Sequence, residues 1–270
     1  MVKIAIWMVS YNHEAYISHA IDSIIMQVTN FDFCLYIGED FSTDTTRQIC
    51  IDYKKKYPDK IKLILQKSNI GAHNNADTVY EAVLNSGAEY IAFCEGDDYW
   101  VGNNKLQRQV DFLDSNYDYS LCFHNAFLLR QGISLNEKFR KYKKNTYSTK
   151  DVILENWLSP TASILFRSEV LRKKPLPLAK EGILNRDLLL VFNASLVGKL
   201  YCIDEVMSVY RCNVKGGATD NIKTISQRYK NYIIYLNYIN KKTNFKYVGY
   251  VYLKMGYILL AYFKSKLLNK

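Results

Sequence analysis

The chain has 270 residues, which is more than a single small core needs and too few for two large domains. Apolar residues make up 49% of it, so a sizeable core can be buried and the composition argues against global disorder. The formal net charge of +10 indicates either an anionic partner, such as nucleic acid, a phosphate-bearing substrate or an anionic membrane, or a solvated basic surface.

Strands and helices alternate over residues 1–130. Short apolar runs predict five strands: KIAIWMVS, FCLYIGED, KIKLIL, YIAFCE and YSLCFHNAFLLR. Between them, apolar residues at helical spacing or capping signals predict helices over EAYISHAIDSIIMQ, STDTTRQICIDYKKKY, ADTVYEAVLNS and NKLQRQVDFLDSN. This alternation is typical of βαβ units, so we predict an α/β fold with a mainly parallel sheet flanked by helices.

The second half of the chain is less regular. Residues 131–148 are polar and basic, which predicts a loop, a linker or a flap. Beyond them, ASILFR, KLYCID and EVMSVYRC predict short strands, and NRDLLLVFNASLVG predicts a helix. Two further helices are predicted over roughly 220–240 and 245–268. We therefore expect one domain over residues 1–215 and a helical extension over 216–270.

Cysteine usage and the N-terminal sequence indicate a reducing compartment. The six Cys show no CxxC or other zinc spacing, and several lie inside apolar runs, as small buried side chains do. The first residues, MVKIAIWMVSYNHE, lack a signal-peptide cleavage pattern and predict a strand. These features predict a cytoplasmic location.

Two acid clusters follow predicted strands, Glu39-Asp40 and the acids of CEGDDYW (residues 94–100). Ligands of open α/β sheets bind outside the carboxyl ends of the strands, so both clusters are expected at one site. Clustered carboxylates suit Mg²⁺ or Mn²⁺, which take few protein ligands when substrate phosphates supply the rest, and Asp97 and Asp98 are the best candidates. A helix N-terminal acid cluster and a structural Ca²⁺ site stay open as alternatives.

The order of several motifs resembles that of the family-two glycosyltransferases, which have the GT-A fold. VSYNHEAYISHAIDSIIMQ is similar to the family's opening strand, nucleotide-contacting turn and first helix. GEDFSTDTT resembles its acidic turn, NIGAHNN its Asn-x-Gly segment, and CEGDDYW with KLQRQVDFL its Asp-x-Asp metal motif and following helix. SPTASILFR, NRDLLLVFNASLVGKLYCIDEVMSVYR and a later GG resemble its acceptor half. The resemblance implies a catalytic domain with a nucleotide-binding half over 1–130 and an acceptor half over 149–215.

The resemblance also implies roles for individual residues. The nucleotide pocket would be lined by Ser10, Tyr11, Asn12, Glu14, Asp40, Asn69 and Gly71. Asp40 would accept a hydrogen bond from the base, typically from N3 of uracil. Asp97 and Asp98 would hold Mn²⁺ or Mg²⁺ together with the ribose–diphosphate. Asp187 would be the general base.

These roles describe an inverting, metal-dependent hexosyltransferase of polysaccharide or glycolipid biosynthesis, acting from a UDP-sugar or another nucleotide-sugar onto a glycan or lipid-linked acceptor. The metal would stabilise the charge of the leaving diphosphate, and Asp187 would take the proton of the attacking hydroxyl. Since Asp187 begins a predicted helix, a partner for the helix dipole is the alternative. A non-catalytic nucleotide- or glycan-binding domain and a sugar-phosphate nucleotidyltransferase stay open. No basic–aromatic motif favours nucleic acid as a partner.

The chain departs from the family pattern at several positions. Glu95 stands where the family's metal motif begins with Asp, so a direct metal contact is not expected from it. Arg186 stands where the residue before the base is often Glu, and it could clamp the diphosphate or the acceptor, or face solvent. The Gln-x-x-Arg-Trp motif of processive members is absent, which favours one sugar per encounter.

Residues 245–270 are aromatic, apolar and basic. Their uncharged piece MGYILLAYF is short, whereas a membrane-spanning helix needs ~20 apolar residues. Two interpretations stay open: a basic amphipathic helix lying on a membrane, and a helix packed on the domain. The first would make the protein peripheral at the inner face of a bacterial membrane.

Overall fold

The computed structural model describes residues 2–130, 137–155, 157–176, 186–212 and 225–268. The strands of this part are β1 (Ile4–Ser10), β2 (Phe33–Glu39), β3 (Ile61–Leu65), β4 (Tyr90–Phe93), β5 (Tyr99–Trp100), β6 (Tyr119–Leu129), β7 (Thr146–Tyr147), β8 (Leu165–Arg167) and β9 (Lys199–Arg211). Its helices are α1 (Ile17–Ile25), α2 (Thr46–Lys56), α3 (Ala72–Asn85), α4 (Lys105–Ser115), α5 (Thr149–Leu154), α6 (Glu169–Lys173), α7 (Arg186–Val197), α8 (Ile225–Lys242) and α9 (Val248–Leu268).

The described strands form one mixed sheet in the order β3-β2-β1-β4-β8-β6-β9-β5, and β7 pairs with β9. The strands β3, β2, β1 and β4 run parallel, as do β6 and β9. The strand β8 joins β4 to β6 in antiparallel pairing. The predicted α/β fold with a mixed sheet flanked by helices is therefore confirmed. Strands from both predicted halves belong to the same sheet, and the domain boundary at 215 stays a prediction.

The first strand is apolar along its length because both of its faces are covered. Ile4, Ile6 and Met8 pack into a core with α1, whereas Ala5 and Trp7 pack into a second core with α3. All five side chains are buried. A strand covered on both sides reads as a continuous apolar run, and this burial fixes the position of the turn that follows Ser10.

The second half differs from the sequence-based expectation in two ways. KLYCID and EVMSVYRC form one long strand, β9, because Asp204 and Glu205 in its middle find partners in Asn125 and Arg108 instead of opening a turn. The helices α5 and α6 have six and five residues, too few for a periodic pattern to reveal. The GG at 216–217, residues 131–136 of the predicted loop and the predicted helix start at 220 lie outside the described residues.

The two predicted C-terminal helices are present and pack against the domain. Leu236 and Ile239 of α8, and Val251 and Ile258 of α9, are buried in the same core as α3 and α7. Lys254 also faces inward, and its Nζ donates to the carbonyl of Leu154 at 2.7 Å. Among the described helices, none combines the length and apolar content that crossing a membrane would require.

Candidate active site

The motifs singled out in the sequence meet at the carboxyl ends of β1, β2 and β4. The parallel register pairs Ser10, the last residue of β1, with Glu39, the last residue of β2. On the other side, the backbone N–H of Gly96 donates to the carbonyl of Val9 at 3.1 Å. The acidic turn after β2 and the CEGDDYW segment therefore lie on either side of the turn after β1, as ligand-binding edges of α/β sheets are built.

The turns after β1 and β2 are joined by side-chain hydrogen bonds. Asn12 Oδ1 accepts from the backbone N–H of Thr43 at 2.9 Å, and Glu14 Oε2 accepts from that of Thr45 at 3.0 Å. Asn12 has a φ of 54°, in the left-handed region that Asn tolerates better than most residues. Two further predicted nucleotide-binding residues precede Asn12: Ser10, which is buried, and Tyr11, which is half-buried. These hydrogen bonds therefore hold the two turns together.

Asp40 connects the acidic turn to the Asn-x-Gly segment. Its Oδ1 accepts from the N–H of Ile70 at 2.8 Å, and its Oδ2 accepts from the N–H of Gly71 at 2.9 Å. Asn69 Nδ2 donates to the carbonyl of Asp40 at 3.2 Å. Gly71 has a φ of +85°, where a side chain would be strained. The structure thus brings Asp40, Asn69 and Gly71 together, and both carboxylate oxygens of Asp40 already accept a backbone hydrogen bond.

Glu39 is equally well partnered. Its side chain is fully buried, its Oε1 accepts from the N–H of Ser42 at 2.7 Å, and its Oε2 forms an ion pair with Arg47 Nε. Arg47 also donates to the carbonyl of Gln66 at 2.7 Å. Buried charges persist in proteins when they are paired and hydrogen-bonded in this way.

The CEGDDYW segment approaches the turn after β1 very closely. A Cβ atom on Gly96 would lie 2.9 Å from both Ser10 Oγ and His13 Nδ1. A side chain at position 96 would force these neighbouring side chains or the segment itself to shift, so the glycine permits the close approach of this segment to the turn after β1.

The acids of this segment lack the partners that Glu39 and Asp40 have. Among the described residues, none forms a hydrogen bond with the buried Oε2 of Glu95. Within the described part of the chain, the Asp97 carboxylate, which is half-buried, accepts no hydrogen bond. Asp98 is 2% exposed, and its Oδ1 accepts from the N–H of Arg211 at 2.8 Å.

Crowding and burial change the acidity of these groups. Burial, helped by the charges of Asp97 and Asp187, raises the pKa of Glu95 to about 8. Burial and the same charge on Asp97 hold the pKa of Asp98 well above its ordinary value. Negative charge is therefore unfavourable here unless a cation or a hydrogen-bond donor binds.

An open cavity lies beside Glu95 of this segment. Apolar side chains such as Trp7 and Phe93 form much of its wall, and Glu95, Asp187 and Arg186 supply polar groups. Asp187 lies in the first turn of α7, and burial raises the pKa of its carboxyl group above the ordinary value. A concave, largely apolar site with a few convergent ionisable groups is the usual form of an active site.

Arg186 does not face solvent. It is 8% exposed, and its Nη1 forms an ion pair with Asp77 Oδ1 at 2.6 Å and donates to the carbonyl of His73 at 3.3 Å. These contacts tie the start of α7 to α3. Among the described residues, none forms a hydrogen bond with the buried Nε and Nη2 atoms of Arg186, which lines the cavity.

Two residues of the site were not assigned from the sequence. The guanidinium group of Arg211 donates to the carbonyl of Asp97 and lies 4.9 Å and 4.7 Å from the ring centroids of Tyr16 and Tyr99. Pairing of β5 with β9 brings it there, and although Arg211 ends the motif of residues 185–211, the motif assigned it no role. His13 is buried beside Asp97, and burial lowers its pKa. The sequence could have indicated His13 through its position in the turn after β1.

The carboxylates fit a divalent cation that takes most of its ligands from elsewhere. Within the described residues, no three His, Cys, Asp or Glu side chains form a ready-made metal-binding group. Asp97 offers an open carboxylate, and Asp98 lies next to it with one oxygen committed to β9. Mg²⁺ and Mn²⁺ suit such oxygen donors and commonly complete their coordination with water and substrate phosphates.

The sequence comparisons agree with these observations. The model of the family Glycosyl transferase family 2 matches residues 5–171. The chain is 31% identical over 208 residues to an uncharacterized protein of Mycobacterium tuberculosis. This alignment covers 77% of the chain and 58% of the relative. It is also 30% identical over 145 residues to the UDP-Glc:alpha-D-GlcNAc-diphosphoundecaprenol beta-1,3-glucosyltransferase WfgD of Escherichia coli. That alignment covers 54% of the chain and 53% of the relative. The chain thus spans little more than half the length of these relatives.

Solved structures share the fold at low sequence identity. S. aureus TarS in complex with UDP-GlcNAc superposes with a TM-score of 0.67 at 19% identity, over 88% of this chain and 66% of that one. The mannosyltransferase PcManGT from Pyrobaculum calidifontis, in complex with GDP-Man and Mn²⁺, superposes with a TM-score of 0.63 at 13% identity, over 89% and 64%.

Proposed function

Because the chain belongs to glycosyl transferase family 2 and has the GT-A fold expected from its sequence, we propose that it transfers a sugar, with inversion, from a UDP-sugar to a glycan or lipid-linked saccharide acceptor. One observation carries the proposal: Asp187 and Glu95, the first acid of CEGDDYW, line one cavity beside the ends of β1 and β4. The names of two similar proteins, the E. coli glucosyltransferase and TarS, support a UDP-sugar donor.

The nucleotide is proposed to bind over the joined turns after β1 and β2. Ser10, Tyr11, Asn12 and Glu14 form one side of this pocket, and Asp40 with the Asn69–Gly71 loop forms the other. Each oxygen of Asp40 accepts one backbone hydrogen bond and retains a lone pair, so it is able to accept another from the N3–H of uracil. Because these turns are already held in place by hydrogen bonds, little conformational entropy is lost when the donor binds, which favours binding.

The diphosphate is proposed to bind beside Asp97. A divalent cation, Mn²⁺ or Mg²⁺, held by Asp97 with Asp98 adjacent would supply charge stabilisation to the departing diphosphate. Asp97 is the first choice for this contact because its carboxylate is open, whereas Asp98 already accepts from Arg211. The guanidinium of Arg211 adds a fixed positive charge at the same place.

Asp187 is proposed as the general base. Its raised pKa makes its carboxylate a stronger base than an exposed Asp, which suits removal of a proton from an attacking hydroxyl. Attack from the face opposite the leaving diphosphate inverts the anomeric centre. At neutral pH the raised pKa of Glu95 keeps most of it protonated, so it is able to donate a hydrogen bond to a sugar hydroxyl.

The test compares Asp187→Asn with the exposed-position control Asp111→Asn. We expect transfer by Asp187→Asn to fall by at least ~10²-fold, the usual contribution of a general base, with transfer by the control unchanged. A panel of nucleotide sugars with and without Mn²⁺ should identify the donor by a rise in Tm, and Asp187→Asn should keep that rise. Persistent transfer would exclude Asp187 as the base, and a panel without any response would exclude nucleotide-sugar binding.

The proposal extends to the location of the reaction. A diphosphoundecaprenol-linked acceptor, as in the name of the E. coli relative, is held in a membrane. We therefore propose a cytoplasmic protein of polysaccharide or glycolipid biosynthesis that contacts the inner face of the bacterial membrane through residues 245–270.

A further inference from the structure

The net charge of the protein is confined to one end of the chain. Residues 221–270 contain ten Lys and Arg and no Asp or Glu. Residues 1–220 contain equal numbers of basic and acidic side chains, 26 of each. The part that holds the candidate active site is therefore neutral overall, and the segment with α8 and α9 accounts for the whole formal charge of +10.

The helix α9 is apolar on both of its sides. Val251 and Ile258 are buried against the domain. On the opposite side, Tyr252, Leu260 and Phe263 are 63%, 69% and 60% exposed. Surface helices of globular proteins normally present polar residues outward, so an apolar outer side indicates that something covers it.

Charged side chains flank this outer side without interrupting it. Between Lys246 and Lys264, both exposed, the only charged residue is Lys254. Lys254 is 3% exposed and turned inward, where its Nζ donates to the carbonyl of Leu154 at 2.7 Å. The outer side of α9 is therefore uncharged over about 27 Å of helix and has a lysine at each end.

We propose that the outer side of α9, together with the basic residues of α8 and the turn between the two helices, binds the surface of an anionic lipid bilayer. The helix would lie in the plane of the interface, with Leu and Phe side chains among the acyl chains and Tyr hydroxyls at headgroup level. Exposed lysines such as Lys241, Lys242 and Lys246 would contact anionic headgroups, each adding roughly fivefold in affinity.

The charge distribution favours a bilayer over other occupants. A second copy would bring two strongly basic segments together, which like-charge repulsion opposes. Nucleic acid phosphates would match the lysines but would leave the apolar side exposed. The biological role of this membrane binding rests on the proposed lipid-linked acceptor, whereas the experiment measures only the binding of the protein to vesicles.

The experiment is co-sedimentation of the full chain with vesicles. One set contains phosphatidylcholine only, and the other contains phosphatidylcholine with about 30% phosphatidylglycerol, each at low and at high salt. We expect binding to the anionic vesicles at about 0.1 M salt, a severalfold loss at ~0.5 M salt, and much weaker binding to the neutral vesicles.

Two groups of variants separate the contribution of the apolar surface to vesicle binding from that of the lysine charges. Leu260→Ser with Phe263→Ser removes outer apolar surface, and Lys241→Glu, Lys242→Glu and Lys246→Glu together reverse three charges. Each group should weaken binding to anionic vesicles by at least tenfold. The matched control Lys55→Glu, Lys56→Glu and Lys60→Glu makes the same change in net charge on the neutral part of the protein, and it should change binding less than about twofold.

Three results would overturn the inference: no binding of the wild type to anionic vesicles, equal loss in the matched control, or a dimer in solution that Leu260→Ser with Phe263→Ser disrupts while vesicle binding stays absent. The Tm rise caused by a donor sugar is measured on the same variants. A retained rise with lost vesicle binding separates this surface from the proposed reaction, because none of the substituted residues belongs to the candidate site.

Discussion

Two acid clusters that look alike in the sequence differ in how their charge is compensated. After β2, Glu39 is paired with Arg47, and Asp40 accepts two backbone hydrogen bonds. After β4, neither the buried Oε2 of Glu95 nor the carboxylate of Asp97 accepts a hydrogen bond from the described residues. The first cluster completes the fold by itself, whereas the second remains electrostatically incomplete until something binds.

This difference separates the structural role of Glu39 from the roles proposed for the acids after β4, at one edge of the sheet. Buried charges that find partners within the chain hold loops together, and their loss is felt first in unfolding. Charges held near each other without partners destabilise the free protein and are useful only in a complex. Substitutions in the two clusters should therefore act on different measurements.

The largest expected effect is that of Asp97→Asn on transfer. Removing the open carboxylate should lower kcat/KM by about 10³-fold, the upper range for loss of an electrostatic contact to a transition state. The Tm of the free protein should stay the same or rise, because the negative charge that opposes ionisation of Glu95 and Asp98 is gone. A lower Tm with transfer intact would place Asp97 with the structural acids.

The next effect is that of Glu39→Gln on unfolding. The change leaves Arg47 without its carboxylate partner inside the fold. Because the Arg47 side chain is 27% exposed, the cost should be smaller than for a fully buried pair, about 2 kcal/mol, or ~6 °C in Tm.

Glu205→Gln is the matched control for that substitution. Glu205 also pairs with an arginine, Arg108, but both side chains are substantially exposed. Its loss should cost less than about 0.5 kcal/mol. Equal destabilisation by the two substitutions would show that burial does not distinguish the cluster after β2.

The sequence located both clusters correctly because their positions depend on local patterns. Apolar runs marked β1, β2 and β4, and the acids that follow them could be read directly as lying at strand ends. The family resemblance then grouped Asp40, Asn69 and Gly71, which the structure brings into contact. The proximity of these residues, which depends on neighbouring turns, could therefore be predicted from the sequence.

The contacts of Arg211 with Asp97 and Asp98 could not be predicted from the sequence, because Arg211 lies in a distant part of the chain. Arg211 reaches Asp97 and Asp98 only because β9 continues through the acidic pair Asp204-Glu205 and pairs with β5. Composition alone could not reveal whether an acid has such a partner. The contrast between the clusters is a tertiary property, since it depends on which backbone N–H groups and guanidinium groups the fold delivers.

The smallest expected effect is a change in how stability depends on pH. The pKa of Glu95 is raised from an ordinary value of 4.5 to about 8, so its contribution to stability is complete below about pH 4.5 and is lost as the pH rises through about 8. Glu95→Gln cannot ionise. The fall in Tm of the free protein between about pH 6.5 and 8.5 should therefore shrink by ~5 °C in this variant.

Glu81→Gln, at an exposed position on α3, is the control and should leave the wild-type slope unchanged. The groups Asp98 and Asp187, whose pKa values are also raised by burial, keep part of the slope in every variant. If Glu95→Gln kept the full wild-type slope, the charge on Glu95 would already be compensated within the chain. The cluster after β4 would then resemble the cluster after β2, and its negative charge would no longer argue for a bound cation.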